Sequence, residues 1–562
     1  MAHDRQESDK IALGPLGEPS AIELANSATT TNASTNASLD SGAKEIQYLK
    51  GLRFHFIVAA IALSLFLTNL EIPVVTTALI SITNDLGGLE RSAWVVSSYL
   101  VGYVSFLIIF AKLSDIFGRK LLFLIALFIF TVFSAACGAA QTLTQLIVFR
   151  AFQGLGGGGC FSVPTAICLE LVPREKYAPL TGFISLVFSS SMIAGPIVGG
   201  AITNGTTWRW VFLLNVPATV PVMVAVLLCI PKNFPHHGDP NVPRRTLKTL
   251  LSKQNIARVD LLGSAILLIA TIALVAALEE AGLNFGWKSA FVIALLCVSV
   301  VLWIAFVFWE RHVTLSPSVV AEPVFPWRFL TSRVWLGMTI NALSLGAVWI
   351  SGVFQLPQRF QVVHGLSPLA AGVRVMAYTG AAPISSIITA IIAKKGVPPI
   401  YLVLGASCLQ IVGFALLGSL PASTAISKAQ YGYQVIAGFG CGTNISLLTL
   451  MTPFSVSPQD NAVAMGAITQ FRIMGGAIGL SIVNTAMHGL LRSRLSPILK
   501  GAQLDQVLNS AQAIAALPVA MRKEVLLKYS EGYNLQMMIL AGLAAGQIIG
   551  TLVMWQKKQI KV

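Results

Sequence analysis

The chain has 562 residues, 55% of them hydrophobic and only 11% charged, with a mean hydropathy of +0.74 and a formal net charge of +15. A soluble domain carries about 25% charged residues, so a water-soluble globular protein is excluded. The positive charge is spread over short segments between apolar runs rather than gathered on one face, which argues against a nucleic-acid partner.

Residues 1–50 are polar, with the tract NSATTTNASTNAS, and read as a disordered cytoplasmic tail without a cleavable leader. Apolar runs long enough to cross a hydrocarbon core of ~30 Å then recur along the chain. Fourteen spans are expected, at 54–80, 93–111, 121–140, 146–168, 180–203, 208–230, 260–278, 289–309, 334–356, 369–393, 400–420, 430–450, 464–488 and 533–555. They must be helices, because lipid offers backbone N–H and C=O groups no partner. Lys and Arg favour the segments on the side of the N-terminus by about two to one, which puts both termini in the cytoplasm. The cysteines lie in or at the ends of spans, without the spacing of a disulfide framework or a metal site.

In span 1, Ser64, Thr68 and Glu71 fall at helical spacing on one face, and Pro73 follows. Glu71 is the one acid well inside an expected span. An ion inside a membrane helix marks a functional site and needs a partner; Arg150, inside span 4, is the candidate. Between spans 2 and 3, the stretch SDIFGRK supplies Asp115, Gly118, Arg119 and Lys120. Asp115 and Arg119 are spaced i, i+4, so they can pair with each other or with helix ends of the opposite half. In span 4, Gly154, Gly156 and Gly159 spell G-x-G-x-x-G, with Glu175 about 20 residues on. That nucleotide reading fails, because it needs a preceding strand and the motif lies inside a membrane helix. Gly154 and Gly158 instead offer a face of small residues for close helix packing. In span 5, Ser191, Gly195 and Gly199 recur every four residues, beside Pro196 and Gly200. Asn204, in N-G-T, is a candidate glycosylation site facing outside. PHHGDP at 235–240 reads as a solvated loop rather than a metal site, and the basic-apolar segment 489–532 as interfacial helices.

The chain also repeats. A shift of 284 residues carries Gly154, Gly156 and Gly158 onto Gly438, Gly440 and Gly442, and Glu71-Ile72-Pro73 onto Gln355-Leu356-Pro357. Span 1 thus corresponds to span 9 and span 4 to span 12. The expected architecture is an all-α polytopic membrane protein of six, two and six helices. The expected divisions are a tail to residue 50, a first half at 51–230, loops with two inserted helices at 231–330, a second half at 331–556 and a short tail at 557–562. In parallel repeats of this kind, substrate sites lie near the midplane between halves that rock.

AKLSDIFGRK, RAFQGLGGGG, SMIAGPIVGGAI and WRWVFLLNVP, in this order and on the expected sides, resemble the signatures of the major facilitator superfamily. With fourteen spans, the chain is similar to the drug:proton antiporter group and to fungal toxin and multidrug efflux pumps. Ala111, Ile116 and Ser191 depart from the family's usual residues. The resemblance implies that the loop holding Asp115 to Lys120 gates the cytoplasmic side. It implies that Glu71 takes the place of the family's span-1 acid, with Glu71 and Arg150 serving proton coupling, and that Gly195, Pro196, Gly199 and Gly200 form an antiporter-type packing motif. Gln355, Arg472, Gln153 and Asn341 are expected in the substrate cavity. The expected function is proton-coupled export of small amphipathic compounds such as drugs, toxins or secondary metabolites, at the plasma membrane with the vacuolar membrane as the alternative, and with no enzymatic activity, cofactor, metal or nucleotide. The rivals are a siderophore or other solute:proton symporter and a non-transporting receptor or enzyme.

Overall fold

The computed structural model describes residues 48–562 except 88–90, 92, 232, 236–251, 282–284, 317–318, 500, 510–512, 515, 558 and 561–562. The polar tail up to residue 47, most of the PHHGDP stretch and the side chain of Asn204 lie outside the described residues.

Among the described residues, fourteen helices are long and apolar enough to cross a membrane. They are α1 (Leu52–Leu86), α2 (Ala93–Phe117), α3 (Arg119–Ala139), α4 (Leu143–Leu171), α5 (Tyr177–Gly205) and α6 (Asn215–Cys229, after a short turn at Trp210–Leu213). The inserted pair is α7 (Leu261–Glu280) and α8 (Ala290–Leu315). The rest are α9 (Arg333–Val362), α10 in two pieces (Pro368–Thr379 and Ala381–Lys394), α11 (Pro399–Gly418), α12 (Ala429–Ser455), α13 (Asn461–Leu495) and α14 (Val519–Met554). Several starts carry a side-chain cap that satisfies an orphan amide: Thr142 for α4, Asp260 for α7, Ser289 for α8, Ser332 for α9 and Ser367 for α10.

The duplication is visible in the packing. In the first half α2 and α3 lie against α4, and α1 against α5 and α6. In the second half α10 and α11 lie against α12, and α9 against α13 and α14. The glycines explain how. A Cβ on Gly154 would run into the Tyr99 carbonyl, and one on Gly438 into the Tyr378 carbonyl. Gly158 meets the Tyr103 carbonyl and Gly442 that of Ala382; Gly156 and Gly440 meet the backbones of α3 and α11. Each half therefore uses one glycine-faced helix to draw two neighbours into backbone contact. The halves meet crosswise, α5 against α10 and α2 against α13. Beside the second of these contacts, α7 packs on α2 and α13, and α8 packs on α7. Most of α8 stays open on its apolar side, with Val300, Val301, Ile304 and Phe308 exposed as lipid-facing residues are.

Two expectations are corrected. The segment 489–532 does not form separate interfacial helices over its whole length, because α13 continues to Leu495 and α14 begins at Val519. At 35 residues α13 is about 52 Å long, well beyond a hydrocarbon core of ~30 Å. Its end packs with the Ala502–Asn509 helix and the start of α14 around Leu491, Leu495, Val507, Val525 and Tyr529. Apolar content stops at the membrane surface, whereas the helix does not. Likewise α8 runs past residue 309, so Glu310 lies within a spanning helix and is fully buried; Glu71 is not the only such acid.

Gly154→Ala is expected to destabilise the purified protein by ~1–3 kcal/mol, the usual cost of overpacking a tight contact. Gly200→Ala, where an added Cβ meets nothing within 4 Å, is the control and should be near neutral. Melting curves in detergent read both; equal stability of the Gly154 variant and wild type would mean that α2 and α4 do not touch backbone to backbone.

Candidate functional site

The Glu71 carboxylate sits among four other helices of its own half. Arg150 Nη1 on α4 donates to Glu71 Oε2 at 2.5 Å, and Asn215 Nδ2 on α6 donates to Oε1. Arg150 Nε donates to the Val95 carbonyl of α2 (2.9 Å), and its guanidinium lies 4.3 Å from the Tyr99 ring centre. The same Nη1 donates to Gln153 Oε1 (2.7 Å), and Gln153 Nε2 donates to Ser134 Oγ on α3 (2.7 Å). Glu71, Arg150, Gln153, Asn215 and Ser134 are all buried. Burying two charges is tolerated only when Coulomb attraction and further hydrogen bonds replace the lost water, and this network supplies both. Gln153, expected in a substrate cavity, is therefore a fixed part of the ion-pair site. Asn215 and Ser134 escaped sequence reasoning, since a single neutral polar residue in a span looks like any helix–helix contact.

The network continues through packing. Two residues after Glu71, Pro73 lies where a Cβ on Gly195 would be, and Gly199 gives room to Val74 and Thr77. Gly195 and Gly199 thus seat α5 on the part of α1 that carries Glu71, whereas Gly200 faces open space. The next residue, Pro196, reaches to 3.5 Å of where a Cβ on Gly372 of α10 would sit, in the other half.

The SDIFGRK stretch forms a second cluster. Gly118 has φ 95°, a conformation that side chains disfavour, and it is the single residue between the end of α2 and the start of α3. Arg119 pairs with Asp115 (2.5 Å) and with Glu170 at the end of α4 (2.8 Å). Lys120 Nζ donates to the Leu227 and Ile230 carbonyls at the end of α6, both at 2.6 Å. Asp115 and Arg119 thus tie helices of one half together, and the link to the segment before α9 comes from Lys112, whose Nζ meets Glu322 Oε2 at 2.7 Å. Glu322 also holds Arg258, ahead of α7 (2.6 Å). Glu170 and Glu322 were not singled out from sequence, because acids at span ends are ordinary there. Ala111, which departs from the family's glycine, faces Gly466 of α13, where a Cβ would stand 3.2 Å from its own. The room lost on one helix is supplied by the other.

In the second half, Gln355 Nε2 donates to Asn484 Oδ1 of α13 (2.6 Å). Arg472, on α13 and 8% exposed, has Tyr103 of α2 as its ionisable neighbour, across the contact between halves. Among the described residues no carboxylate pairs with it. Asn341 is elsewhere: its Nδ2 donates to the Gly337 carbonyl (3.2 Å) and to Thr551 Oγ1 of α14 (3.4 Å). It serves helix packing rather than a cavity. Asn444, Ser407, Gln410 and Gln547 form a similar hydrogen-bonded junction of α11, α12 and α14. Among the described residues no cluster of three or more His, Cys, Asp or Glu is placed to hold a metal.

A family model described as Major Facilitator Superfamily matches residues 59–284. The chain is 39% identical over 523 residues to the MFS-type transporter FPY5 of Fusarium mangiferae, covering 93% of this chain and 87% of that one. It is 30% identical over 548 residues to the MFS thioclapurine efflux transporter tcpA of Claviceps purpurea, covering 94% and 96%. The crystal structure of the human organic anion transporter MFSD10 matches with a TM-score of 0.56 at 13% identity, over 90% of this chain and all of that one, a likeness of fold alone.

Glu322 lies outside the spans. Burial acts to raise its pKa, but the bonds and charges of Lys112 and Arg258 outweigh it and hold the carboxyl below its ordinary value of 4.5. A lowered folded pKa adds stability above the ordinary value and loses it as pH falls through the lowered one. Glu322→Gln should therefore lower the melting temperature at pH 7, by no more than the ~0.2–1 kcal/mol of partly exposed pairs. The difference from wild type should shrink as melts are run at successively lower pH, below about 4.5. A difference that persists in acid would assign it to packing instead of charge.

Proposed function

The chain belongs to the major facilitator superfamily, and on that premise we propose that it exports small amphipathic organic compounds in exchange for protons, across the plasma membrane and with both termini in the cytoplasm. Alternating access comes from rocking one six-helix half against the other about the α5–α10 and α2–α13 contacts. The observation that carries the reading is Arg472, a cation without a carboxylate partner among the described residues, at the contact between the halves. A mainly apolar surface with one such group suits a compound with an apolar body and a polar or anionic end. Gln355, with its Oε1 unpartnered, supplies a hydrogen-bond acceptor on the neighbouring helix α9. Export is favoured over import by the Claviceps relative, which is named an efflux transporter.

In this scheme Glu71 is the proton carrier. Neutralising it releases Arg150 and Asn215 and loosens α1 from α4 and α6, and the Pro73–Gly195 and Pro196–Gly372 contacts pass that change to the other half. Asp115, Gly118, Arg119 and Lys120 hold the cytoplasmic ends of the first half together while Lys112–Glu322 engages the linker to the second.

The test is uptake into inside-out vesicles with the interior made acid. Amphipathic compounds should accumulate, and a protonophore should collapse the accumulation. Glu71→Gln should abolish the response to the gradient. It should also cost ~3–5 kcal/mol of stability by stranding the Arg150 charge, so its melting temperature is read alongside, with Glu71→Asp as the charge-keeping control. Gradient-driven uptake that survives in Glu71→Gln would remove the proton role from this residue, and uptake into whole cells alone would favour the symporter.

A further inference from the structure

Away from the contact between the halves, a cavity of about 180 Å³ opens where the end of α9 meets the loop joining α11 to α12. Arg359, His364, Ser423, Ser427 and Gln430 line it, over an apolar wall that includes Leu420. Arg359 is 3% exposed, and its Nε and Nη1 have no hydrogen-bond partner. Gln430 is equally buried, with Nε2 unpartnered. The ring of His364 is fixed by Nδ1–H donating to the Thr424 carbonyl at 2.8 Å, which leaves Nε2 without a partner. Phe360 stands beside the imidazole, 5.8 Å between ring centres. The guanidinium cannot shed its proton. Among the described residues no acid pairs with it. The charges acting nearby do not neutralise it either: Arg374 adds positive charge at His364, and Tyr533 on α14 is a phenol.

An uncompensated guanidinium, buried with two nitrogens lacking partners and a neighbouring amide donor, requires a counter-charge. The space, about 180 Å³, admits a carboxylate of a few carbons or a phosphate. We propose that this cavity binds a small anion, a carboxylate or phosphate oxyanion, in the fork of Arg359, with Gln430 Nε2 as a further donor. The planar guanidinium matches the paired oxygens of either group. The oxyanion has two available sources, a free solute or a lipid headgroup.

The test uses the full chain, purified and delipidated in detergent. Its melting temperature is titrated with sodium acetate and, separately, sodium phosphate, at ionic strength held constant with a bulkier anion. Wild type should show a saturable rise. Arg359→Gln should show none, while melting no lower than wild type without acetate or phosphate, because it removes a stranded charge. Arg359→Lys keeps the charge but not the fork, and should raise the acetate midpoint by about tenfold; it carries the test if the glutamine variant does not fold. In vesicles of phosphatidylglycerol, loss of the acetate response would name the headgroup as the resident oxyanion, and a retained response would name a free solute. No saturable rise with either anion in delipidated wild type, or an unchanged midpoint in the Arg359 variants, overturns the proposal.

Discussion

A carboxylate and a guanidinium that meet at 2.5 Å inside a membrane protein, both sealed from solvent, constrain everything around them. Neither ion can be left alone there, because stranding one is far more costly than keeping both. The pair therefore demands that α1 and α4 stay together at this level and that α2, α3 and α6 supply the remaining bonds. Backbone contact between α4 and its neighbours is what lets those donors reach. Arg150 spans from Glu71 to the Val95 carbonyl because Gly154 and Gly158 bring α2 within touching distance of α4. The glycines and the ions are thus one device: the first sets the spacing at which the second is satisfied.

The second half repeats the spacing without the ions. Glu71 falls on Gln355, and the same shift of 284 carries Arg150 onto Gln434. Both members of the pair are neutral in the repeat. That is the change physics permits, since losing either charge alone would leave the other buried and unpaired. Gln434 is fully buried on α12 with both side-chain polar atoms unpartnered, and Gln355 turns to Asn484 instead of α12. The glycine-faced helix survives in both halves because close packing is useful whatever the charge state.

Much of this was legible in the sequence for specific reasons. Glu71 and Arg150 stood out because an ion in an apolar run has no ordinary explanation. The glycine repeat stood out because its spacing recurs at one offset. What escaped was whatever looks ordinary where it stands. Asn215 and Ser134 are single neutral groups in spans, and Glu170 and Glu322 are acids at span ends. Glu310 fell one residue beyond the expected span 289–309, because hydropathy marks the membrane boundary and not the end of the helix. Gln153 and Asn341 were legible as polar but not as to what they face. One locks the ion pair, and the other joins α9 to α14.

The buried arginines of the two halves divide by what answers them. Arg150 has its acid and is immobilised. Arg472 and Arg359 have none among the described residues: the first borders the contact between halves, the second a cavity outside it. A protein that must move one half against the other gains from this arrangement. While Glu71 is ionised, the pair keeps the first half a rigid body, so that motion falls on the crossed contacts of α5 with α10 and α2 with α13, and taking up a proton is what loosens it. An unanswered cation is instead a place where a mobile partner changes the energy of one arrangement relative to another. Only such differential interaction shifts a conformational equilibrium.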